Sequence, residues 1–328
     1  MTRLLVGLAS LLAVAAGVAG TRLAASFDVR AERGPGEPLR AVATTGMVAD
    51  AVREVGGGLV RVAGLMGPGV DPHLYKASEG DVGRMVAADV VFYGGLHLEG
   101  RMAEVLERMA QRGVRTVAVT DAIPEDRLIA AGGQGGAHDP HVWFDVSLWA
   151  LAVGRVRDAL VEADPDSAAA YRANAARYLD RLAALHERVR AEVATVPEPQ
   201  RLLVTAHDAF GYFGRAYGVE VAGIQGISTA SEAGAADVSR IADLVASRRV
   251  PAVFVESSVS PRIIEALRAA VRARGFEAGT GGSLYSDALG PDGTPEGTYV
   301  GMVEHNVRTI VSALGAGGSS PAPSGGSR

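Results

Sequence analysis

Residues 164–199 read DPDSAAAYRANAARYLDRLAALHERVRAEVATVPEP. Tyr171, Tyr178, Leu182, Leu185, Val189, Val193 and Val196 step along it by 7, 4, 3, 4, 4 and 3, spacings that keep one apolar face on a helix. Asp164 is an N-cap residue and Pro165 suits the first helical position, where its missing N–H costs nothing. Pro197 and Pro199 end the pattern. A helix over 165–196 is about 48 Å long at 1.5 Å per residue, and it holds no internal Pro or Gly. A helix of that length and stiffness is a strut, and it predicts a body of structure at each end.

Both flanks fit that expectation. On the N-terminal side, Leu39–Thr44, Val60–Met66, Asp89–Tyr93 and Thr116–Val119 read as strands, with helices at Met47–Val55, Ser78–Ala87 and Arg101–Arg112 between them. On the C-terminal side, strands are expected at Arg201–Thr205, Val219–Ile224, Ala252–Glu256 and near Glu277. Helices there are expected at Ala209–Tyr217, Ala235–Ser247, Pro261–Arg274 and Tyr299–Leu314. Such alternation predicts parallel sheets covered by helices. The expected class is α/β: two lobes, each with a mainly parallel β-sheet flanked by helices, joined by a single long rigid helix. The divisions are an export signal or N-terminal anchor over 1–25, a linker over 26–38 and an N-terminal lobe over 39–164. The linking helix over 165–196, a C-terminal lobe over 197–314 and a disordered Gly/Ser/Pro tail over 315–328 complete the chain.

Composition removes several function classes. The chain has 328 residues, about two domains' worth, with 48% hydrophobic and 21% charged residues and a net charge of −5. Lys76 is its only lysine, so the phosphate loop GxxxxGK[ST] is absent, and without basic runs nucleic-acid binding is not expected. No cysteine is present, which excludes disulfides, thiolate metal sites and a lipid anchor on an N-terminal cysteine. Leu4–Gly20 follows Arg3 as an uncharged run and reads as an export signal, or as a retained anchor at the short limit for a span. The folded part is therefore expected in the periplasm or at the extracytoplasmic face of the membrane.

Two of the seven histidines share a context, Asp71-Pro72-His73 and Asp139-Pro140-His141. In each, proline stiffens the loop and pushes the preceding Asp toward extended geometry, and the Asp is placed to orient an imidazole. His73 follows the second expected strand and His141 the fourth, His207 follows Arg201–Thr205, and Asp287 follows the last strand. Ligand sites of α/β folds form at such C-terminal strand ends. His73, His141, His207 and Asp287 are thus a candidate set for Zn²⁺ or Mn²⁺. Of the others, His186 is expected to be solvated, His305 structural, His97 hydrogen-bonded to a carboxylate, and His138 a surface group beside Gly132–Gly136. Glu256 ends a strand and is expected to support a ligand rather than to be one.

From Gly46-Met47-Val48-Ala49-Asp50 to Asn306 the sequence resembles the zinc/manganese solute-binding proteins of ABC importers, in particular their TroA-like subgroup (cluster A-I). The stretches Gly67-Pro68-Gly69-Val70-Asp71-Pro72-His73-Leu74-Tyr75, Asp139-Pro140-His141-Val142-Trp143-Phe144-Asp145, Thr205-Ala206-His207-Asp208-Ala209-Phe210-Gly211-Tyr212-Phe213 and Tyr285-Ser286-Asp287-Ala288-Leu289-Gly290 carry the likeness. The resemblance implies that His73, His141, His207 and Asp287 ligate a transported Zn²⁺ or Mn²⁺. It implies a monomeric, non-enzymatic receptor that hands the metal to a membrane permease driven by a cytoplasmic ATPase. Two departures are visible: many relatives are anchored through a cysteine, and zinc-specialised ones often carry a long His-rich loop where this chain has Gly132–Gly136 and His138. The alternative function is a secreted zinc hydrolase with Glu256 or Asp208 as general base; four protein ligands argue against it, because a catalytic zinc keeps one position open.

Overall fold

A computed structural model describes Gly34, residues 36–131 and residues 137–315. The expected export signal, most of the linker, the stretch Gly132–Gly136 and nearly all of the expected tail lie outside the described residues.

The N-terminal lobe opens with β1 (Leu39–Ala43), α1 (Gly46–Gly56), β2 (Val60–Gly64), α2 (Glu79–Ala87), β3 (Val90–Tyr93), α3 (Ala103–Gln111) and β4 (Arg115–Ala118). Its four strands pair in the order β2-β1-β3-β4, all parallel. Local sequence explains the helix starts. Thr45 caps α1 through its hydroxyl, and Ser78 and Asp81 form a reciprocal capping box on α2, satisfying N–H groups that a helix leaves unpaired.

After β4 the chain makes short 3-10 turns and enters α4 (Val146–Ala163), capped by Asp145, whose carboxylate accepts the Ser147 N–H. This helix was not expected. Then comes the strut, α5 (Ala168–Ala194). It is shorter than the 165–196 of the sequence pattern: Pro165–Ser167 form a 3-10 turn, Asp164 instead accepts the Tyr171 hydroxyl at 2.9 Å, and Thr195 caps the end. Its buried face comprises Tyr171, Ala175, Tyr178, Leu182, Leu185, Val189 and Val193. That face packs on α1 and α4 and also on helices of the second lobe.

The C-terminal lobe contains β5 (Leu202–His207), α6 (Gly211–Tyr217), β6 (Glu220–Gln225), α7 (Ala235–Arg248), β7 (Ala252–Glu256), α8 (Arg262–Arg272), β8 (Gly279–Leu284) and α9 (Tyr299–Gly315). β5 pairs with β6 and β7 with β8, both parallel, and β5 lies against β7. The last strand begins two residues after Glu277, where one was expected nearby. One apolar core runs continuously from the first sheet through α4 and α5 to α9 and the start of α6. Phe144 stacks on Phe210 at 4.2 Å between ring centres, and Trp149 on Tyr299 at 5.4 Å. Asp50 of α1 accepts the Tyr178 hydroxyl of the strut and the Tyr299 N–H of α9, both at 3.2 Å. Among the described residues, no helix is long and apolar enough to cross a membrane.

Candidate metal centre

His73 and His141 are presented by the same local device. In each Asp-Pro-His triplet the Asp carboxylate accepts the main-chain N–H of the histidine, at 2.8 Å for Asp71 and 2.9 Å for Asp139. This is an Asx turn whose rigidity comes from the proline between. The two differ at the ring. Asp139 Oδ1 also stands 2.7 Å from His141 Nδ1, leaving Nε2 to face the cleft. His141 lies far beyond β4, just ahead of α4, so the sequence placed it in the right lobe but not at the strand end.

His207 is the last residue of β5 and Glu256 the last of β7, so the adjacency of these strands sets the carboxylate against the imidazole. Glu256 accepts the His207 N–H at 2.9 Å, and its other oxygen is 2.5 Å from His207 Nδ1. Gly223 of β6 lies against this strand end; a Cβ there would stand 2.5 Å from the Asp208 nitrogen. Asp287 sits in the loop after β8. The Asn306 amide brackets that loop, donating to Tyr285 O at 2.7 Å and accepting from Tyr285 N at 2.9 Å. The Trp143 indole donates across the lobes to Ser286 O at 3.0 Å.

These supports bring one ligand atom from each of His73, His141, His207 and Asp287 within 4.8 Å of one another. All four residues are buried, with His141 and His207 at 0% exposure and Asp287 at 1%. The separations are informative. His73 Nε2 is 3.3 Å from His141 Nε2, His141 Nε2 is 3.4 Å from Asp287 Oδ1, and His207 Nε2 is 3.3 Å from Asp287 Oδ2. A tetrahedron with bonds of about 2.0–2.1 Å has edges of about 3.3–3.4 Å. His73 Nε2 to Asp287 Oδ2 is wider, at 3.9 Å. Both oxygens of Asp287 and the Nε2 nitrogen of His207 are buried without a hydrogen-bond partner among the described residues. Buried polar atoms are almost always satisfied, so this cluster is shaped for a cation.

The protonation pattern follows from the same contacts. Burial would lower the His141 imidazole, but Asp139 and then Asp287 push it up to about 9. Burial opposes charge on His207 too, and Glu256 and Asp287 raise it well above the ordinary range. His73 has no carboxylate on its ring nitrogen Nδ1 among the described residues, and burial brings it down to about 4. Burial alone would raise Asp287, yet the facing histidines hold it well below the usual carboxylate range.

The remaining histidines stay apart. His186 contacts the Tyr217 hydroxyl at 3.1 Å and Arg190 at 2.8 Å, so it is partnered rather than merely solvated. His305 donates to Ser283 O at 3.0 Å, as expected of a structural group. His97 and His138 border a separate cavity of about 530 Å³, with Glu99 and Asp121 in its lining and none of the four clustered residues. Asp208 is partly buried beside the site, and Glu256 is committed to His207. No local signal marks Trp143 or Asn306 as supports of the Asp287 loop, because their action depends on which loop the fold delivers to them.

Residues 41–313 match the family described as zinc-uptake complex component A, periplasmic. The chain belongs to this family. Over 278 residues it is 49% identical to the manganese-binding lipoprotein MntA of Bacillus subtilis (strain 168), covering 85% of this chain and 90% of the relative. Over 290 residues it is 48% identical to the zinc-binding protein TroA of Treponema pallidum (strain Nichols), covering 88% and 92%. The solved periplasmic zinc-binding protein TroA from Treponema pallidum superposes with a TM-score of 0.82 at 49% identity, over 85% of this chain and 99% of that one. Within the zinc-uptake component A family, two relatives of nearly equal likeness are thus named for different metals.

Proposed function

We propose that the protein is an extracytoplasmic receptor that captures one Zn²⁺ or Mn²⁺ between its lobes, with His73, His141, His207 and Asp287 as ligands. It then delivers the ion to the permease of an ABC importer driven by a cytoplasmic ATPase. The observation that carries this reading is the buried, hydrogen-bond-free Asp287 carboxylate facing the His141 and His207 nitrogens at tetrahedral-edge distances, with His73 Nε2 at 3.9 Å. The relatives named for manganese and zinc support the choice of ions. Three neutral nitrogens favour Zn²⁺ over Mn²⁺ in simple competition, while the two free oxygens of Asp287 leave room for the higher coordination that Mn²⁺ accepts.

On this reading the protein acts as a monomer, exported by its N-terminal segment, with lobes over 39–164 and 197–314. A hydrolase is disfavoured because Glu256 is spent on both the ring and the main chain of His207. The test is a melting scan of chelated protein with and without Zn²⁺ or Mn²⁺. An ion that binds only the folded state, at a thousandfold its dissociation constant, adds about 4 kcal/mol. A metal-dependent rise in Tm that Asp287→Ala abolishes supports the proposal; no rise with either ion contradicts it.

A further inference from the structure

Asp71 carries two hydrogen bonds, one to each lobe. Its Oδ1 accepts the His73 N–H at 2.8 Å, while its Oδ2 accepts the hydroxyl of Thr229 at 2.6 Å. Thr229 belongs to the C-terminal lobe, in the segment between β6 and α7, and is 7% exposed. The same N-terminal loop touches the C-terminal lobe again at Gly69, where φ is +72° and a Cβ would stand 3.3 Å from Ser257 O. The left-handed backbone and the close approach both call for glycine there.

The position matters because His73 differs from the other two imidazoles. His141 has Asp139 at 2.7 Å from Nδ1 and His207 has Glu256 at 2.5 Å. Such carboxylates fix the ring and the tautomer of a ligating histidine. Among the described residues His73 has none, so its placement rests on its main chain, and its main chain rests on Asp71. We propose that Thr229 is a positioning residue that latches the His73 loop to the opposite lobe and sets how long the bound ion is retained.

The mechanism is geometric. Release requires the His73 loop and the segment bearing Thr229 to part, and a short hydrogen bond from a hydroxyl to a carboxylate must break first. Trp143 to Ser286 ties the lobes at the Asp287 loop, on a different pair of segments. Among the described residues Thr229 makes no hydrogen bond to any of the four clustered residues, so it acts on retention without belonging to the ligand set. This inference rests on the metal-receptor reading.

The test is stopped-flow release of Zn²⁺ from loaded full-length protein into an excess of chelating dye. Thr229→Val keeps the shape and loses the donor; Thr229→Ser keeps the donor. Loss of one hydrogen bond to a charged acceptor should speed release about tenfold or more in Thr229→Val. Thr229→Ser should release at close to the parent rate, and association rates should change little. Equal release from parent and Thr229→Val overturns the latch, as does a Thr229→Ser protein as fast as Thr229→Val. Failure of the parent itself to take up Zn²⁺ would instead sink the receptor reading, and the latch with it.

Discussion

At the scale of single residues, the site divides its labour between charge and orientation. Asp287 brings the only formal negative charge among the four facing groups, so Asp287→Ala should weaken Zn²⁺ binding by more than about a hundredfold, and Asp287→Asn should recover little. Glu256→Gln keeps the fit beside His207 but not the charge, and a loss of about 10- to 100-fold is expected. His138→Ala is the control: it is three positions from His141 but faces another cavity, so its dissociation constant should match the parent in the same titration. The protonation pattern adds a sign. His141 and His207 favour their protonated forms, so an incoming cation must displace their protons. Affinity should therefore rise with pH through the neutral range, by up to about tenfold per unit for each proton displaced, with the His141 contribution flattening toward pH 9. His73, brought down to about 4, adds competition only in acid. Titrations at several pH values check this, and an affinity independent of pH from 6 to 8 would contradict it.

At the scale of elements, legibility followed contrast. The strut stood out because charged residues line one face of Ala168–Ala194 and buried ones the other. Leu182 is fully buried on it, and Leu182→Ala should cost about 2–5 kcal/mol in denaturant unfolding. α4 was not legible because apolar residues also lie off its buried face, Ala150, Leu151 and Val161 being only partly buried, which blurs the helical period. Only the approximate place of β8 was legible, for a related reason. Gly281 lies on the Phe254 ring, where a Cβ would stand 2.5 Å away, so packing removed the branched residues that announce a strand. The Asp-Pro-His triplets were readable because their conformation is local. What holds the Asp287 loop was not, because Trp143 is 143 positions from Ser286. That Thr229 meets Asp71 from 158 positions away was equally invisible.

At the scale of the whole molecule, the two lobes share one core instead of merely facing each other across a cleft. Phe144 on Phe210, Trp149 on Tyr299, and the three-way junction of Asp50, Tyr178 and Tyr299 join the N-terminal lobe, the strut and the C-terminal lobe. With no Pro or Gly inside α5 to kink it, wide hinge closure would have to tear this core. Solution scattering of metal-free and metal-loaded protein should therefore give nearly superimposable curves, with change confined to the His73 and Asp287 loops. A large compaction on loading would contradict the shared core.

One claim is central: that a single divalent cation sits where four buried side chains from two lobes converge. An anomalous-difference map from crystals of the Zn²⁺-loaded protein, collected at the zinc edge, tests it most directly. The expected result is one dominant peak about 2.0–2.1 Å from the Nε2 atoms of His73, His141 and His207 and from an oxygen of Asp287. A dominant peak anywhere else, or one lacking any of these four residues among its ligands, would contradict it.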